Sequence, residues 1–462
     1  MTPNPTNCEA FELKHSLFDV QIEGVPLWER IRFQVFREIE QQNGGGRAHT
    51  DVGNSWWDYA RGARLFLQNL VIKNPYFSEE SDIMFVGHHR RKQLDDSDWW
   101  DIYCDPLHEA GDYDYTHFEK DYMLTHSTPA RTENIRYLDL IEQASNIQRL
   151  LNLNQPTIPP ESEDKLRNIR RRIQSQFGAS VDVVSIARNA LHERRAKLSL
   201  YKRLLQRVDP ELVVLVVSYG RETFIEACKS QDVPVVELQH GVVHEHHFGY
   251  SFSGPRTKTT FPDYFLAFGE FWKESVEFPI PDSRVIPVGY PFLEQSIEEY
   301  SKTESTDKMV FISQGTVGKE LSNFALEVER HPNFDYDIVY KLHPGEYDRW
   351  RTEYPWLKNA DFEIVQNEKR LYRLFSEAIA QVGVGSTAIY EGLAFDLNTF
   401  LYDCPGAEAL QPLVDDGVAT LISSPDELPT NLGNAKPDFD RSYYFAEEPI
   451  EQICAVFENI RE

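Results

Sequence analysis

At 462 residues, with 41% hydrophobic and 13% aromatic content, the chain is long enough for two packed cores and too apolar for a disordered protein. Asp and Glu total 74 against 47 Lys and Arg, a formal charge of −27. A surface this acidic repels phosphate backbones and excludes duplex nucleic acid as an expected partner. The acid is spread along the chain, as for general solvation, and a salty cytoplasm that screens the repulsion is one reading of it. Five cysteines (Cys8, Cys104, Cys228, Cys404 and Cys454) are scattered without a C-x-x-C pair. That pattern argues for a reducing compartment and against a zinc site or disulfide framework. The opening residues lack the basic start and apolar run of a secretion signal. The longest apolar run, 212–217, falls far short of the ~20 residues of a spanning helix, so a soluble, cytoplasmic protein is expected.

Residues 1–80 read as a helical N-terminal extension, with Phe18, Val25, Leu27, Trp28, Ile31 and Val35 near helical spacing. Within it, 56–73 mixes Trp56, Trp57, Leu67 and Ile72 with Arg61, Arg64 and Lys73. The mixture suits a helix packed on the body of the domain; the alternative is a helix lying on the inner face of a membrane as a peripheral contact. Asp95, Asp96, Asp98 and Asp101, around Trp99 and Trp100, read as a solvated acidic loop, or alternatively as an acceptor-binding lip. Apolar runs at 82–87, 211–218, 233–238, 264–268 and 285–288 predict strands, with a long helical stretch over 163–207 and another at 223–229. The polar segment 294–307 reads as a linker. Strands at 309–312, 336–340, 378–382 and 399–402 follow, with helices at 320–329, 371–378 and 387–394, and a closing helix within 441–462. Strand–helix alternation with fully apolar strands predicts parallel sheets covered on both faces. The expected architecture is α/β: two Rossmann-like, doubly wound domains (81–292 and 308–440) facing across a cleft.

The unusual residues gather in loops that follow predicted strands. Ser218, Arg221, Glu222 and Gln239 lie after the strands of the first half and are candidates for acceptor contact. His240, between Gln239 and Gly241, sits at a strand tip where a general base with a pKa near working pH would be useful. His244, His246 and His247 follow, with no Cys or spaced carboxylate to complete a metal set, so a polar loop is preferred and no metal is expected. In the second half come Ser313-Gln314-Gly315-Thr316, Lys341-Leu342-His343-Pro344, and Gly385-Ser386-Thr387 opening a helix that bears Glu391. Small residues before a helix let backbone N–H groups approach an anion, and the helix N-terminus favours it; the bland alternative is that Ser386 only caps the helix. Lys341 and His343 fall on one side of an extended segment and suit a leaving diphosphate. Glu391 lies one turn beyond Thr387 and suits a ribose diol.

These loops resemble those of GT-B glycosyltransferases, particularly the group of capsule polysaccharide transferases and CDP-glycerol glycerophosphotransferases. The resemblance is carried by Gln239-His240-Gly241, Lys341-Leu342-His343-Pro344, Gly385-Ser386-Thr387 with Glu391, and Gly289-Tyr290-Pro291, and it spans 210–425. It implies that His240 deprotonates the acceptor and that His343 and Lys341 contact the donor's phosphates. It further implies that the Ser386-Thr387 helix start holds the diphosphate, that Glu391 binds the ribose, and that no bound metal or cofactor is needed beyond the nucleotide-sugar donor. The expected activity is an inverting transfer of sugar from a nucleotide-sugar to a glycan or lipid-linked acceptor in surface polysaccharide biosynthesis. The chain lacks a long basic C-terminal stretch of the glycerophosphotransferase kind, which favours a sugar donor over a polyol-phosphate one. Two other readings share the architecture: an isomerase resembling UDP-N-acetylglucosamine 2-epimerase, and a non-catalytic glycan-binding scaffold.

Overall fold

The computed structural model describes residues 5–43, 56–94, 98–245, 247–252, 254, 256–434 and 436–462; Asp95, Asp96, Ser97 and His246 lie outside them. The chain forms two compact units, 1–291 with 448–462, and 292–447.

The first unit opens with helix α1 (Pro5–Lys14), a hairpin of β1 (Gln21–Ile22) and β2 (Val25–Pro26), and helices α2 (Leu27–Gln42) and α3 (Trp56–Asn69). Its sheet begins at β3 (Ile83–Val86). A small hairpin, β4 (Lys92–Gln93) with β5 (Trp99–Trp100), and helix α4 (Asp105–Ala110) precede β6 (Tyr115–Glu119) and β7 (Ile135–Tyr137). Helices α5 (Asp139–Leu150), α6 (Pro160–Phe177) and α7 (Val183–Val208) lead to β8 (Leu212–Val216), α8 (Glu222–Lys229), β9 (Val235–Leu238), β10 (Tyr264–Ala267) and β11 (Val285–Pro287). The seven strands pair in parallel in the order β11-β10-β9-β8-β3-β6-β7.

Side-chain alternation along the strands builds the two faces of this sheet. Met84, Val86, Val213 and Leu215 pack with Ile141, Leu204 and Phe224, under α5, α7 and α8. Ile83, Phe85, Val214 and Val216 pack with Leu107, Ile453 and Phe457, under α4 and the closing helix Pro449–Arg461. The stretch 163–207, expected as one helix, is two, because Gly178 adopts a left-handed φ of 71° after Phe177 and ends α6. β6 escapes a search for apolar runs because it buries Thr116, His117 and Glu119, and β7 is a three-residue edge strand.

The residues expected as a separate N-terminal extension share a core with α6 and α7: Phe11, Trp28, Val35 and Phe36 pack with Ile173, Phe177, Ala187 and Phe248. Buried Glu12 accepts from Trp28 Nε1 at 2.6 Å and from Arg32 Nε at 2.8 Å. Arg32 in turn donates to the carbonyls of Phe248 at 2.5 Å and Ser251 at 2.8 Å. Helix α3 packs on α5 through Gly62, where an added Cβ would stand 2.9 Å from Gln143 Oε1, and through Asn69, which accepts from Leu140 N at 2.9 Å. It leaves Trp56 and Trp57 each 72% exposed. Among the described residues no helix is long and apolar enough to cross a membrane.

The second unit holds β12 (Lys308–Ile312), β13 (Asp337–Lys341), β14 (Glu363–Val365), β15 (Ala380–Gly383), β16 (Asn398–Tyr402) and β17 (Ala419–Ile422). All pair in parallel in the order β14-β13-β12-β15-β16-β17. The expected linker 294–307 is helical as far as Tyr300, because Leu293 and Ser296 bury one of its faces. Both units are thus Rossmann-like and doubly wound.

Arg32 has its charge satisfied at the cost of a fully buried Glu12. Glu12→Ala should therefore destabilise the first unit by about 3–5 kcal/mol, whereas a Glu12→Leu, Arg32→Met pair should recover most of the loss. Urea titrations of the three proteins, followed by tryptophan fluorescence, check this.

Candidate functional site

In each sheet the first strand lies between the second and the fourth, so the chain leaves β3 and β8, and β12 and β15, toward opposite faces. A crevice opens outside the carboxyl ends of such strand pairs. The candidate residues of each unit stand at that place.

In the second unit the loops after β12, β13 and β15 are tied together. The Gln314 side chain donates to Gly385 O at 2.8 Å and accepts from Gly385 N at 3.1 Å. Buried Glu346 accepts from Ser313 Oγ at 3.0 Å, from Tyr354 Oη at 2.8 Å and from His343 N at 2.8 Å. Arg349 donates to the carbonyls of Gly315 at 3.0 Å and Gly345 at 2.9 Å. Ser313, Gln314 and Gly315 therefore hold the loops in register, and Thr316 is exposed beside them. His343 Nδ1 accepts from Gly345 N at 3.1 Å, so a neutral ring carries its proton on Nε2 and presents a donor. Lys341 Nζ lies 3.5 Å from Tyr347 Oη. Ser386 caps the helix Thr387–Ala394, accepting from Ala388 N at 3.3 Å, while Gly385, Ser386, Thr387 and Glu391 stay partly exposed. A Cβ at Gly385 would stand 2.7 Å from Gly406 O, which explains the glycine.

In the first unit a cavity of about 500 Å³ lies outside β3, β6, β8 and β9, with α2 along one side. Its lining includes Phe33, Arg37, His88, Arg90, Lys120, Tyr219, Arg221 and His240. Val217 and Gly220 take φ of 75° and 79°; for a β-branched valine that region costs about 1–3 kcal/mol. The strained turn places Tyr219 and Arg221 at the cavity wall. Opposite it, Gly87 lets the loop after β3 pass against Asp101 and His117, each only 2.3 Å from where a Cβ would be. Asp101 accepts from His88 N at 2.7 Å. It is thus a buried anchor and not part of a solvated acidic loop.

His240 is held by a relay. Buried Glu237 Oε1 accepts from Ser218 N at 3.0 Å and from Tyr250 Oη at 2.5 Å. Tyr250 Oη, its proton given to Glu237, stands 3.3 Å from His240 Nδ1 and can only accept from it. The other nitrogen, Nε2, is left as the basic one, 3.3 Å from Tyr219 Oη. Burial, and then the charges of His88, His247 and Arg90, hold the imidazole well below its ordinary pKa, so the ring is neutral.

The remaining acceptor candidates are structural here. Gln239 is buried, accepting from Phe268 N at 2.7 Å and donating to Gly241 O at 2.8 Å. Glu222 receives Lys258 Nζ at 3.0 Å, and Ser218 is buried. His247 accepts from Gly249 N at 3.1 Å. A buried group of Asp101, Cys104 and His117 has its ligand atoms within 4.8 Å of one another. The Arg91 guanidinium, 3.5 Å from His117 Nε2 and 2.5 Å from Glu119, already supplies the cation there.

No described protein family matches the sequence, and no curated protein matches it. Solved structures with a similar course of chain include the UDP-GlcNAc 2-epimerase of Methanocaldococcus jannaschii in complex with UDP-GlcNAc and UDP. It is 12% identical over 82% of this chain and 99% of that chain, with a TM-score of 0.46. Acinetobacter baumannii MurG is 10% identical over 83% and 99%, with a TM-score of 0.42. The wall teichoic acid polymerase TagF is 12% identical over 88% and 96%, with a TM-score of 0.41. The functional reading rests on the residues of the two crevices and not on these likenesses.

His88, His89 and Arg90 were legible by the same strand-end rule that selects His240, since 82–87 reads as a strand. Arg37, Lys120, Glu237, Tyr250, Glu346 and Arg349 carry no local signal.

Burial pushes the Glu237 carboxyl up from 4.5 to about 7. The folded state therefore holds this proton more tightly than the unfolded chain. The resulting stability is complete below pH 4.5 and is lost as pH rises through about 7, by about 3 kcal/mol in all. Glu237→Gln should flatten the fall in melting temperature between pH 5 and 8, as followed by circular dichroism.

Proposed function

We propose that the protein is a glycosyltransferase. The second unit grips the diphosphate of a nucleotide-sugar, and the first binds the acceptor whose hydroxyl His240 deprotonates. The observation that carries this reading is the Glu237–Tyr250–His240 relay, which leaves an unprotonated Nε2 at the edge of a polar cavity where a sugar hydroxyl can reach it. A hydroxyl is a poor nucleophile until a base begins to remove its proton, and a positioned imidazole contributes about 10²–10⁴-fold. The helix start at Ser386-Thr387, with Lys341 and His343, supplies charge and donors for a leaving nucleoside diphosphate. Glu391 is assigned to the ribose. Neither crevice is assigned a metal, and the displacement is read as inverting.

Thermal melts with UDP, GDP, CDP, dTDP and CMP test the donor half. One nucleotide should raise the melting temperature by about 5–10 °C at a hundredfold excess over Kd, and Lys341→Ala should abolish the shift. His240→Ala should keep the shift while losing donor-sugar turnover. A panel in which nothing binds would sink the reading, and conversion of a lone nucleotide-sugar to its epimer would replace transfer by isomerisation.

The same reading places the protein against a lipid surface through α3. Trp56, Trp57, Arg61 and Arg64 on this helix are exposed, the composition of an interfacial helix. The antiparallel packing of α3 on α5 sets Leu150 and Leu151, also exposed, at the Trp56 end. The intact protein should float with anionic phospholipid vesicles, and a Trp56→Ser, Trp57→Ser variant should stay in solution; equal flotation of the two would exclude this contact.

A further inference from the structure

The cavity of the first unit runs against the charge of the molecule. In a chain of net charge −27, its wall carries Arg37, Arg90, Lys120 and Arg221 against a single carboxylate, Glu38. Lys120 stands at the end of β6 and Arg221 at the start of α8, so strands two places apart in the sheet aim cations at one space. Among the described residues no carboxylate oxygen lies within 4.0 Å of the Lys120 or Arg221 nitrogens. The acid nearest in kind, Glu142, is already committed: it accepts from Lys197 Nζ at 2.6 Å and from Tyr201 Oη at 2.5 Å. Burial holds both Lys120 and Arg221 below their ordinary pKa values. Desolvating two cations that lack a direct ion pair is costly, the Glu142 carboxylate reaching both only through its longer-range field, and a turn strained at Val217 helps to hold one of them there. A site arranged in this way is complementary to an anion that arrives with the ligand.

We propose that the first unit's cavity is a phosphate subsite, and that the acceptor is phosphorylated, carrying a phosphomonoester or diphosphate that Lys120 and Arg221 hold while Arg90 closes the open side. The proposal builds on the transferase reading but stands on its own residues. Arg221 offers the planar fork that fits phosphate bidentately, and Lys120 the compact charge beside it. His240 lines the same cavity, so the hydroxyl to be deprotonated belongs to the sugar or polyol that bears this phosphate.

Calorimetry with inorganic pyrophosphate, inorganic phosphate and glucuronate, on the full chain, tests it. Pyrophosphate should bind to the wild type. It should lose about tenfold or more in affinity in Arg221→Gln and in Lys120→Gln, while both variants keep the nucleotide-induced thermal shift. Arg90→Gln, an exposed position that cannot disturb the core, should weaken pyrophosphate by a smaller factor in the same direction, which keeps the test open should a buried variant fail to fold. Lys341→Ala should lose the nucleotide and keep pyrophosphate in the first unit. Pyrophosphate binding lost only in Lys341→Ala would overturn the phosphate subsite and leave the transferase reading standing. Pyrophosphate held by Arg221 in a protein that binds no nucleotide would do the reverse. Glucuronate binding as tightly as pyrophosphate would overturn the phosphate class, and nucleotide affinity lost in Arg221→Gln would reassign the cavity to the donor.

Discussion

Within a doubly wound sheet, the right-handed crossover forces the chain to one face for the second and third strands and to the other for the fourth. The loops leaving the first and fourth strands must then part, and the space between them cannot be filled by either layer of helices. Both units of this protein meet that constraint, at β3 and β8 and again at β12 and β15. The His240 imidazole, the strained turn at Val217 and the helix start at Ser386 are placed by it. What differs between the units is how the loops are then stiffened. In the second, an amide and a carboxyl bind backbone, with Gln314 on Gly385 and Glu346 on His343. In the first, a buried acid and a tyrosine orient a histidine.

Electrostatics separates the first crevice from the rest of the molecule. The chain carries a net charge of −27, yet acids of α5, β6 and α8 are committed to other partners: Glu142 to Lys197 and Tyr201, Glu119 to Arg91, Glu226 to Arg194. Among the described residues, Lys120 and Arg221 are left without a direct ion pair. His88, His89 and His240 are each held below their ordinary pKa, by burial first; neighbouring positive charge adds to this at His89 and His240, while at His88 the Asp101 carboxylate opposes it.

Much of this was legible in the chain. The runs at 212–216 and 309–312 are apolar without interruption because parallel strands are buried on both faces, and that periodicity survives any tertiary context. Glycine, Ser-Thr and His-Pro after such runs mark the loops, so His240, His343 and Ser386 could be named from spacing. Arg37 comes from a helix fifty residues before its nearest partner strand in the cavity, and Lys120 follows a strand, Tyr115–Glu119, whose buried polar residues hide it. Glu237 looks like one polar residue in an apolar strand until Tyr250 is seen to close on it.

Amino-acid order alone determined the alternation of strand and helix, and hence the two doubly wound sheets and the loops at their carboxyl ends, because hydrophobic period and turn chemistry are local properties. Which side chains in those loops line a cavity and which hold the backbone was decided by tertiary structure. Gln239 and Glu222 turn inward to structural partners, while Lys120 and Arg221 remain without a carboxylate beside them; such a difference depends on distances between strands that are far apart in the chain.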